Sequence, residues 1–342
     1  MTDRLSNLNH DLENQLLIEC SQSLRNSGQT VRISRFFEYA LDWDYILTVA
    51  RKNAVFPLVG RNLLQKFSHS LPAHIKGILT EHLQAHLQRN MFLTGKLLEI
   101  VRSFDANNIS ILPFKGPLLA AQAYGDLSAR QYVDLDILVQ PKQLESAIQL
   151  LQDEGYTPIR CISWLNKSNW QMLDKKDIYF RSGDGLVNVE LHWKLSGSHF
   201  ALPFEMNGLW ARLENFCLAN VSLKTLPFDD LLIYLCLHGS RHGWEQFGWI
   251  CDVNELILAQ GEIDWERLIE KARHLGCENV LGLGLYLVYE FFGREFSFSG
   301  WQKVQNDLMF LTFAKRIRSQ LFTERHVVMG LGDRYAYHLK LK

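Results

Sequence analysis

Acidic side chains alternate with apolar ones in residues 132–139, YVDLDILV. This period of two predicts a β-strand that places Asp134 and Asp136 on one face, roughly 7 Å apart at about 3.3 Å per residue. The alternate positions, expected to face a core, are Val133, Leu135, Ile137 and Val139. Carboxylates that share a face repel each other strongly unless a cation lies between them.

A second alternating stretch, residues 186–193 (LVNVELHW), carries Glu190 and His192 on its polar face. If the two strands are neighbours, Asp134, Asp136 and Glu190 converge on one side of a sheet. Oxygen ligands of this kind are the ones that Mg²⁺ prefers, and the pattern predicts a divalent metal site. The alternative is that these acids are ordinary solvated residues on the polar face of a half-buried strand.

The elements that must position the acids precede them in the chain. Residues 109–112 predict a short apolar strand that leads into Lys115-Gly116, and Pro117 then opens a helix, since its missing N–H is unpaired there anyway. Glycine allows the backbone to approach a phosphate closely, and the lysine supplies charge. Arg130, just before the acidic strand, has a fork geometry that suits a triphosphate.

At these residues the sequence resembles the nucleotidyltransferase (polymerase-beta-like) superfamily and, more closely, the uncharacterised nucleotidyltransferase family of bacterial gene clusters. The resemblance runs from about Phe37 to the 280s. The motifs that carry it are Leu41-Asp42-Trp43, Lys115-Gly116, Arg130, Asp134-Leu135-Asp136, Glu190-Leu191-His192-Trp193 and His238-x3-His242-Gly243-Trp244. The wider superfamily usually has Gly-Ser where this chain has Lys115-Gly116, so a serine contact to the triphosphate cannot be carried over.

The resemblance implies an α+β fold, a nucleotidyltransferase-type mixed sheet with helices, flanked by N-terminal and C-terminal helical regions. The expected division is an N-terminal helical region over 1–108, a catalytic core over 109–227 and a C-terminal helical domain over 228–342. It also implies an enzyme that moves an NMP from an NTP to a hydroxyl of a small-molecule, sugar, peptide or protein acceptor and releases pyrophosphate. The resemblance also implies two divalent ions, Mg²⁺ or Mn²⁺. Asp134 and Asp136 would bind both ions.

Several site residues keep more than one interpretation. Glu190 would either complete the metal site or take the proton from the acceptor hydroxyl. His192 could orient Glu190, bind a phosphate or be structural. Lys115 could be an ordinary surface lysine, and Arg130 could pair with Asp126 or with a catalytic acid.

His238 and His242 share a helix face at the i, i+4 spacing, and with Asp252 a zinc site can be imagined. The run is His-Gly-Ser-Arg-His, which lacks the glutamate of a metalloprotease helix. We therefore expect these histidines to face the nucleotide or the acceptor, with helix packing as the alternative, and we expect no structural zinc. No role for Asp252 follows from the sequence.

Composition narrows the class of protein. The chain has 342 residues, 47% of them hydrophobic and 21% charged, with a net charge of −1, so no broad basic surface is indicated for gripping nucleic acid. Six unpatterned cysteines fit reduced thiols in the cytoplasm. No signal peptide and no membrane span are expected, because the first thirty or so residues lack an apolar run and no stretch approaches about 20 apolar residues.

Other functions remain open at this point. The same metal site could serve kinase-like phosphoryl transfer, although no GxxxxGK[ST] loop is present. The chain could also be a catalytically silent binding or antitoxin-like partner. If the chain is a nucleotidyltransferase, replacing Asp134 or Asp136 by asparagine should abolish turnover. The fold should stay intact or become slightly more stable, because one of the mutually repelling acids is removed.

Overall fold

The computed structural model describes residues 10–24, 27–159, 176–195 and 206–323. The helices are α1 Asp11–Cys20, α2 Ser27–Ser34, α3 Trp43–Lys52, α4 Phe56–Phe67, α5 Ala73–Ala106, α6 Gly116–Tyr124, α7 Leu144–Asp153, α8 Met206–Ala211, α9 Phe228–Arg241, α10 Phe247–Ala259, α11 Trp265–His274, α12 Glu278–Phe292, α13 Trp301–Gln305 and α14 Leu308–Leu321. The strands are β1 Ile111–Pro113, β2 Leu135–Val139, β3 Tyr156–Pro158, β4 Asp177–Ser182, β5 Asn188–His192, β6 Glu214–Leu218 and β7 Val221–Thr225.

A five-stranded mixed sheet runs in the order β1-β2-β5-β4-β3. β2 and β5 are parallel neighbours, and the other pairs are antiparallel. The two strands on which the sequence places its acids therefore do lie side by side. Together with the surrounding helices, this sheet gives the α+β class that the sequence predicts.

The acidic strand is shorter than the sequence predicts. β2 begins at Leu135, so Asp134 lies just before it. Val133, expected to face a core, is 61% exposed. The alternating pattern extends beyond the hydrogen-bonded ladder, because Val133 and Asp134 have no partner residue in the β2–β5 register.

The two faces of the sheet contact different cores. Leu135, Ile137 and Val139 pack with α5 and α7 side chains in one apolar cluster. Leu138 on the other face belongs to a second cluster, which contains residues of the N-terminal and C-terminal helices. Asp136 lies on the same face as Leu138, because side chains alternate along a strand. The acidic face therefore looks toward the helical flanks.

The N-terminal helices support this arrangement from the side. Asp42 caps α3, since its carboxylate accepts a hydrogen bond from the Tyr45 N–H at 3.0 Å. The long helix α5 carries Asn90, whose side-chain amide donates to the backbone carbonyls of Leu127 and Arg130 at 2.6 and 3.0 Å. The segment that leads into the acidic strand is thereby tied to α5.

Residues 206–225 consist mostly of regular elements. They include helix α8 and the β6–β7 hairpin. The turn of the hairpin places Ala219 and Asn220 at φ values of 47° and 64°. A two-residue turn with both φ angles positive usually shows itself as Asn-Gly, and alanine in the first position hides that signal.

The C-terminal helices α9, α10 and α12 pack on one another and contribute most of their apolar residues to the second core. Asp264 caps α11, accepting from the Arg267 N–H at 3.0 Å. The division into three regions stays a prediction. Within the described residues, none of the helices combines the length and apolar character needed to cross a bilayer.

Candidate active site

Asp136 and Glu190 lie directly opposite each other on the parallel strands β2 and β5. Both are buried, at 4% and 7% exposure. His192, two residues beyond Glu190 on the same face, approaches both acids: its Nε2 lies 3.2 Å from Asp136 Oδ1 and 3.2 Å from Glu190 Oε1. One ligand atom from each of these three residues lies within 4.8 Å of the others.

Asp136 also forms an ion pair with Lys115, whose Nζ lies 2.6 Å from Oδ1. Burial alone would raise the pKa of the Asp136 carboxyl, but the Lys115 ammonium and His192 outweigh it and hold that pKa well below its usual range. The premise that Asp136 is an unpaired, repelled acid is therefore wrong. The Lys115 ammonium lies on the cleft side of the Asp136 carboxylate and balances its charge.

Glu190 has a lysine of its own. Lys176 Nζ lies 3.2 Å from Glu190 Oε1, and it also donates to Asp177. The same ammonium lies 3.2 Å from His192 Nδ1. Because an ammonium can only donate, His192 Nδ1 accepts this bond and its proton is on Nε2, between the two acids. His192 thus donates to Asp136 and lies 3.2 Å from Glu190, between the two acids.

Burial and charge shift the pKa values in this cluster. Burial, followed by the Asp136 charge, raises the pKa of Glu190 to about 8. Burial and then the Lys176 ammonium lower the pKa of His192 to about 4, so its imidazole is neutral at pH 7. The Asp136 charge thus disfavours ionisation of Glu190, and a further cation beside the two carboxyl groups would favour the ionised form.

Asp134 is half-buried and lines a cleft of about 310 Å³ together with Asp136 and Glu190. Burial and then the Asp136 charge raise the pKa of Asp134. The ligand atoms that lie within 4.8 Å of one another belong to Asp136, Glu190 and His192. Asp134 approaches this group from the cleft edge, because it precedes the strand.

Gly116 begins α6 with φ +55°, a left-handed conformation that glycine adopts without strain. A Cβ atom at this position would lie 3.4 Å from the Asp134 carbonyl oxygen. The turn at Gly116 therefore runs close to the backbone of Asp134, and its close approach to a phosphate stays a prediction. The turn sets the distance between Lys115 and the acidic strand.

Arg130 is committed to an ion pair inside the protein. Its Nε and Nη2 donate to the two carboxylate oxygens of Asp252 on α10, at 2.8 and 3.0 Å. The Tyr124 hydroxyl donates to the same carboxylate at 2.8 Å. The Arg130 guanidinium lines the cleft only from the side. Its partner is Asp252 and not Asp126, which pairs with Arg61 at 2.7 Å. Asp252, for which the sequence gives no role, anchors the segment before Asp134.

The helical wall of the cleft, defined here as His238, Arg241, His242, Gln246 and Trp249, faces the acids from α9 and α10. The Trp249 ring contacts the His238 and His242 rings at centroid distances of 5.1 and 5.5 Å. Burial, and then the Lys115 charge, lower the pKa of His238 well below its usual value. His238 Nδ1 is buried without a hydrogen-bond partner among the described residues.

The Gly243-Trp244 end of the helical motif has a structural role. Both residues have positive φ, 64° and 53°, and they turn the chain from α9 to α10. The Trp244 ring is fully buried against Gly239, where a Cβ atom would come within 2.5 Å of it. This turn directs Gln246 and Trp249 into the cleft.

The structure thus brings most of the predicted site residues to one cleft. Those that line it are Lys115, Arg130, Asp134, Asp136, Glu190, His238 and His242. His192 lies behind the acids and Gly116 behind Asp134. Sequence reasoning missed Lys176 and Arg241. Arg241 stands at i+3 from His238, the spacing that places both on one helix face and could have revealed it.

The donor set fits a hard divalent cation. Asp136 and Glu190 supply carboxylate oxygens on adjacent strands, and Asp134 adds another at the cleft edge. His192 is a poorer ligand for Mg²⁺ than these oxygens, and its hydrogen bond to Asp136 gives it a supporting position beside both acids.

Comparisons with known proteins place the chain in a family. No curated protein matches it. Among solved structures, one titled as the antibiotic-resistance factor ANT(2'')-Ia matches at 10% identity and a TM-score of 0.39, over 54% of this chain and 93% of that one. A likeness of this size carries no argument about function. A family model described as uncharacterised nucleotidyltransferase matches residues 39–293, about three quarters of the sequence. The chain therefore belongs to this family of uncharacterised nucleotidyltransferases.

Proposed function

We propose that the protein is a divalent-metal-dependent nucleotidyltransferase that moves an NMP from an NTP to an acceptor hydroxyl and releases pyrophosphate. The observation that carries the proposal is the pairing of Asp136 with Glu190 on parallel strands at the floor of a cleft that Asp134 also lines. Family membership supports the transferase class. The acceptor is a hydroxyl compound: a small molecule, sugar, peptide or protein.

Asp134, Asp136 and Glu190 would hold Mg²⁺ or Mn²⁺. When bound, the metal supplies neutralisation of the charge that builds on the phosphoryl oxygens during in-line displacement. Lys115, 2.6 Å from Asp136, adds positive charge beside the same acids. Glu190, with its pKa raised to about 8 by burial and then by Asp136, is alternatively the group that accepts the acceptor's proton.

In this proposal His192 and Arg130 position the site without contacting the nucleotide. His192 donates a hydrogen bond to Asp136 and lies 3.2 Å from Glu190, so it supports both acids from behind. Arg130, bound to Asp252, holds the chain just before Asp134. Such positioning matters because displacement needs the acids, the nucleotide and the acceptor oxygen in one alignment.

The test follows a radioactive label. The four NTPs are first screened with Mg²⁺ by thermal shift, since a bound ligand raises the melting temperature by mass action. The stabilising NTP is then labelled at the α- or γ-phosphate and incubated with a panel of hydroxyl-bearing small molecules, sugars and peptides. Nucleotidyl transfer places the α-label in the product and releases pyrophosphate.

Label arriving only from the γ-phosphate, with NDP released, would instead make the protein a kinase. Asp136→Asn serves as the inactive control, and Cys217→Ser, on the exposed hairpin strand β6, serves as a control outside the cleft. Transfer that persists in Asp136→Asn at the wild-type rate would reject the acid site as its source.

A further inference from the structure

The cations that line the cleft differ in how their charge is balanced. Lys115 pairs with Asp136 at 2.6 Å, and Arg130 pairs with Asp252 through two hydrogen bonds. Arg241 contacts neither acid. Within the described residues, its hydrogen bonds go to His242 Nε2, at 3.3 Å from Nε and 3.0 Å from Nη2.

His242 does not balance the charge of Arg241. A guanidinium can only donate, so His242 Nε2 accepts with its lone pair and the imidazole is neutral. No carboxylate among the described residues forms an ion pair with Arg241. It is therefore the lining cation whose positive charge remains available to a ligand.

The neighbours of Arg241 favour an anion at this position. The residues of the helical wall include no acid, whereas Asp134, Asp136 and Glu190 all lie on the opposite side of the cleft. His238, next to Arg241 on the same helix face, has a buried Nδ1 without a partner among the described residues. An imidazole nitrogen in that state can donate to an oxygen of a bound anion.

We propose that Arg241 is the receptor for the β- and γ-phosphates of the NTP, and afterwards for the released pyrophosphate. This inference rests on the proposed function, because it assumes that the α-phosphate lies at the acids across the cleft. A guanidinium suits the role, since its planar fork binds phosphate oxygens in pairs. Arg241 then attracts the β- and γ-phosphates to the helical wall, while the α-phosphate lies at the acids on the opposite side of the cleft.

The inference reassigns the predicted triphosphate contact. The sequence points to Arg130 for this contact, and the structure shows the Arg130 guanidinium bound edge-on to Asp252. Freeing it would leave a carboxylate that is 4% exposed without its partner. Arg241 needs no such rearrangement, because its present partner is a neutral imidazole beside it in sequence.

The experiment measures binding of inorganic tripolyphosphate to the full chain by calorimetry, in Mg²⁺ buffer. The variants are Arg241→Gln, Arg241→Lys and the control Arg273→Gln, which also removes an arginine from the last turn of a helix but lies on the surface of α11. We expect Arg241→Gln to weaken binding at least about tenfold, which corresponds to about 1.4 kcal/mol. Arg241→Lys should fall between it and the wild type, because lysine keeps the charge and loses the fork.

A second readout separates a lost contact from a damaged cleft. Mn²⁺ binding, followed by electron paramagnetic resonance, should be unchanged in Arg241→Gln, and so should the melting temperature. Unchanged tripolyphosphate affinity in Arg241→Gln overturns the inference, and so does an equal loss of tripolyphosphate and Mn²⁺ binding. Label transfer is scored separately: absence of α-label transfer with Arg241-dependent tripolyphosphate binding rejects the proposed function alone.

Discussion

The two sides of the cleft are built differently. On the sheet side the charges are matched within the protein: Asp136 by Lys115, and Glu190 by Lys176. On the helical side Arg241 meets only a neutral histidine among the described residues. Asp136 and Glu190 have little freedom to move, because each contacts a largely buried lysine. The helical side offers an unbalanced charge on a helix end.

This difference separates two requirements of group transfer. The reacting phosphate needs acids held in fixed positions, and buried ion pairs supply that rigidity at the cost of desolvation. The leaving group needs a site that binds it and then releases it, which a partly exposed cation can provide. The comparison predicts that substitutions of the paired acids on the sheet side alter stability and turnover together, whereas substitution of Arg241 on the helical side alters affinity alone.

The largest effect is expected at the acids. Asp136→Asn should lower α-label transfer by at least about 10³-fold, equal to about 4 kcal/mol of activation free energy, because an amide is a poor ligand for a divalent cation. It should also lower the free energy of unfolding by about 3 kcal/mol, since the largely buried Lys115 loses its carboxylate. Single-turnover kinetics and urea unfolding measure the two effects.

Asp134→Asn is the matched control for that stability loss. Its carboxylate is crowded by Asp136, so its removal relieves repulsion and should leave the unfolding free energy unchanged or slightly higher. Turnover should fall as in Asp136→Asn. Equal destabilisation of the two variants would contradict the distinction between a paired and a repelled acid.

The next largest effect is expected for the ion pair between Arg130 and Asp252. Asp252→Asn should lower the free energy of unfolding by about 3 kcal/mol, because the buried guanidinium loses its ionic partner. Tyr124→Phe removes only the hydroxyl that bonds to Asp252 and should cost about 1 kcal/mol. Urea unfolding gives both values.

A further variant, Arg130→Gln, tests which arginine binds the polyphosphate. Tripolyphosphate affinity, measured per folded molecule, should be unchanged in Arg130→Gln despite its lower stability. A variant that kept its stability and lost tripolyphosphate affinity would restore Arg130 as the anion receptor and remove the contrast between the two sides.

The sequence was sufficient for the parts of the fold that depend on local periodicity. Alternation at Leu135, Ile137 and Val139 predicts a strand with one face in a core, and these residues lie there. Parallel pairing with the Glu190 strand brings the acids together as expected. The prediction that Val133 faces a core is wrong, because the alternating sequence pattern begins before the hydrogen-bonded ladder does.

Long-range pairing could not be predicted from local pattern. Asp252 lies 122 positions from Arg130, and no spacing rule connects them. Lys176 precedes β4, whose first residue Asp177 pairs with His192 on the antiparallel neighbour β5, and from there its Nζ reaches Glu190. The partners that decide whether a cation is free for a ligand are of this kind, which is why the sequence favours Arg130 over Arg241.

A smaller effect is expected at the turn before α6. Gly116→Ala and Gly125→Ala each place a side chain at positive φ, 55° and 64°, and each should cost about 1 kcal/mol of stability. Only at Gly116 would the new Cβ touch the Asp134 carbonyl, at 3.4 Å. Turnover should therefore fall about tenfold in Gly116→Ala and remain unchanged in Gly125→Ala. Equal turnover in the two variants would show that this contact does not set the position of Asp134.

The smallest effect, no change at all, is expected for zinc on the helical side. The Arg241 guanidinium donates to His242 Nε2, so the lone pair that a metal would need is already used and a positive charge lies beside it. The nearby Cys236 and Cys251 do not supply zinc-ligand spacing. Elemental analysis of purified protein should find far less than one zinc per chain, and EDTA should leave the melting temperature unchanged. Stoichiometric zinc that disappears in His242→Ala would show that this wall binds a cation, and the assignment of opposite charges to the two sides would fail.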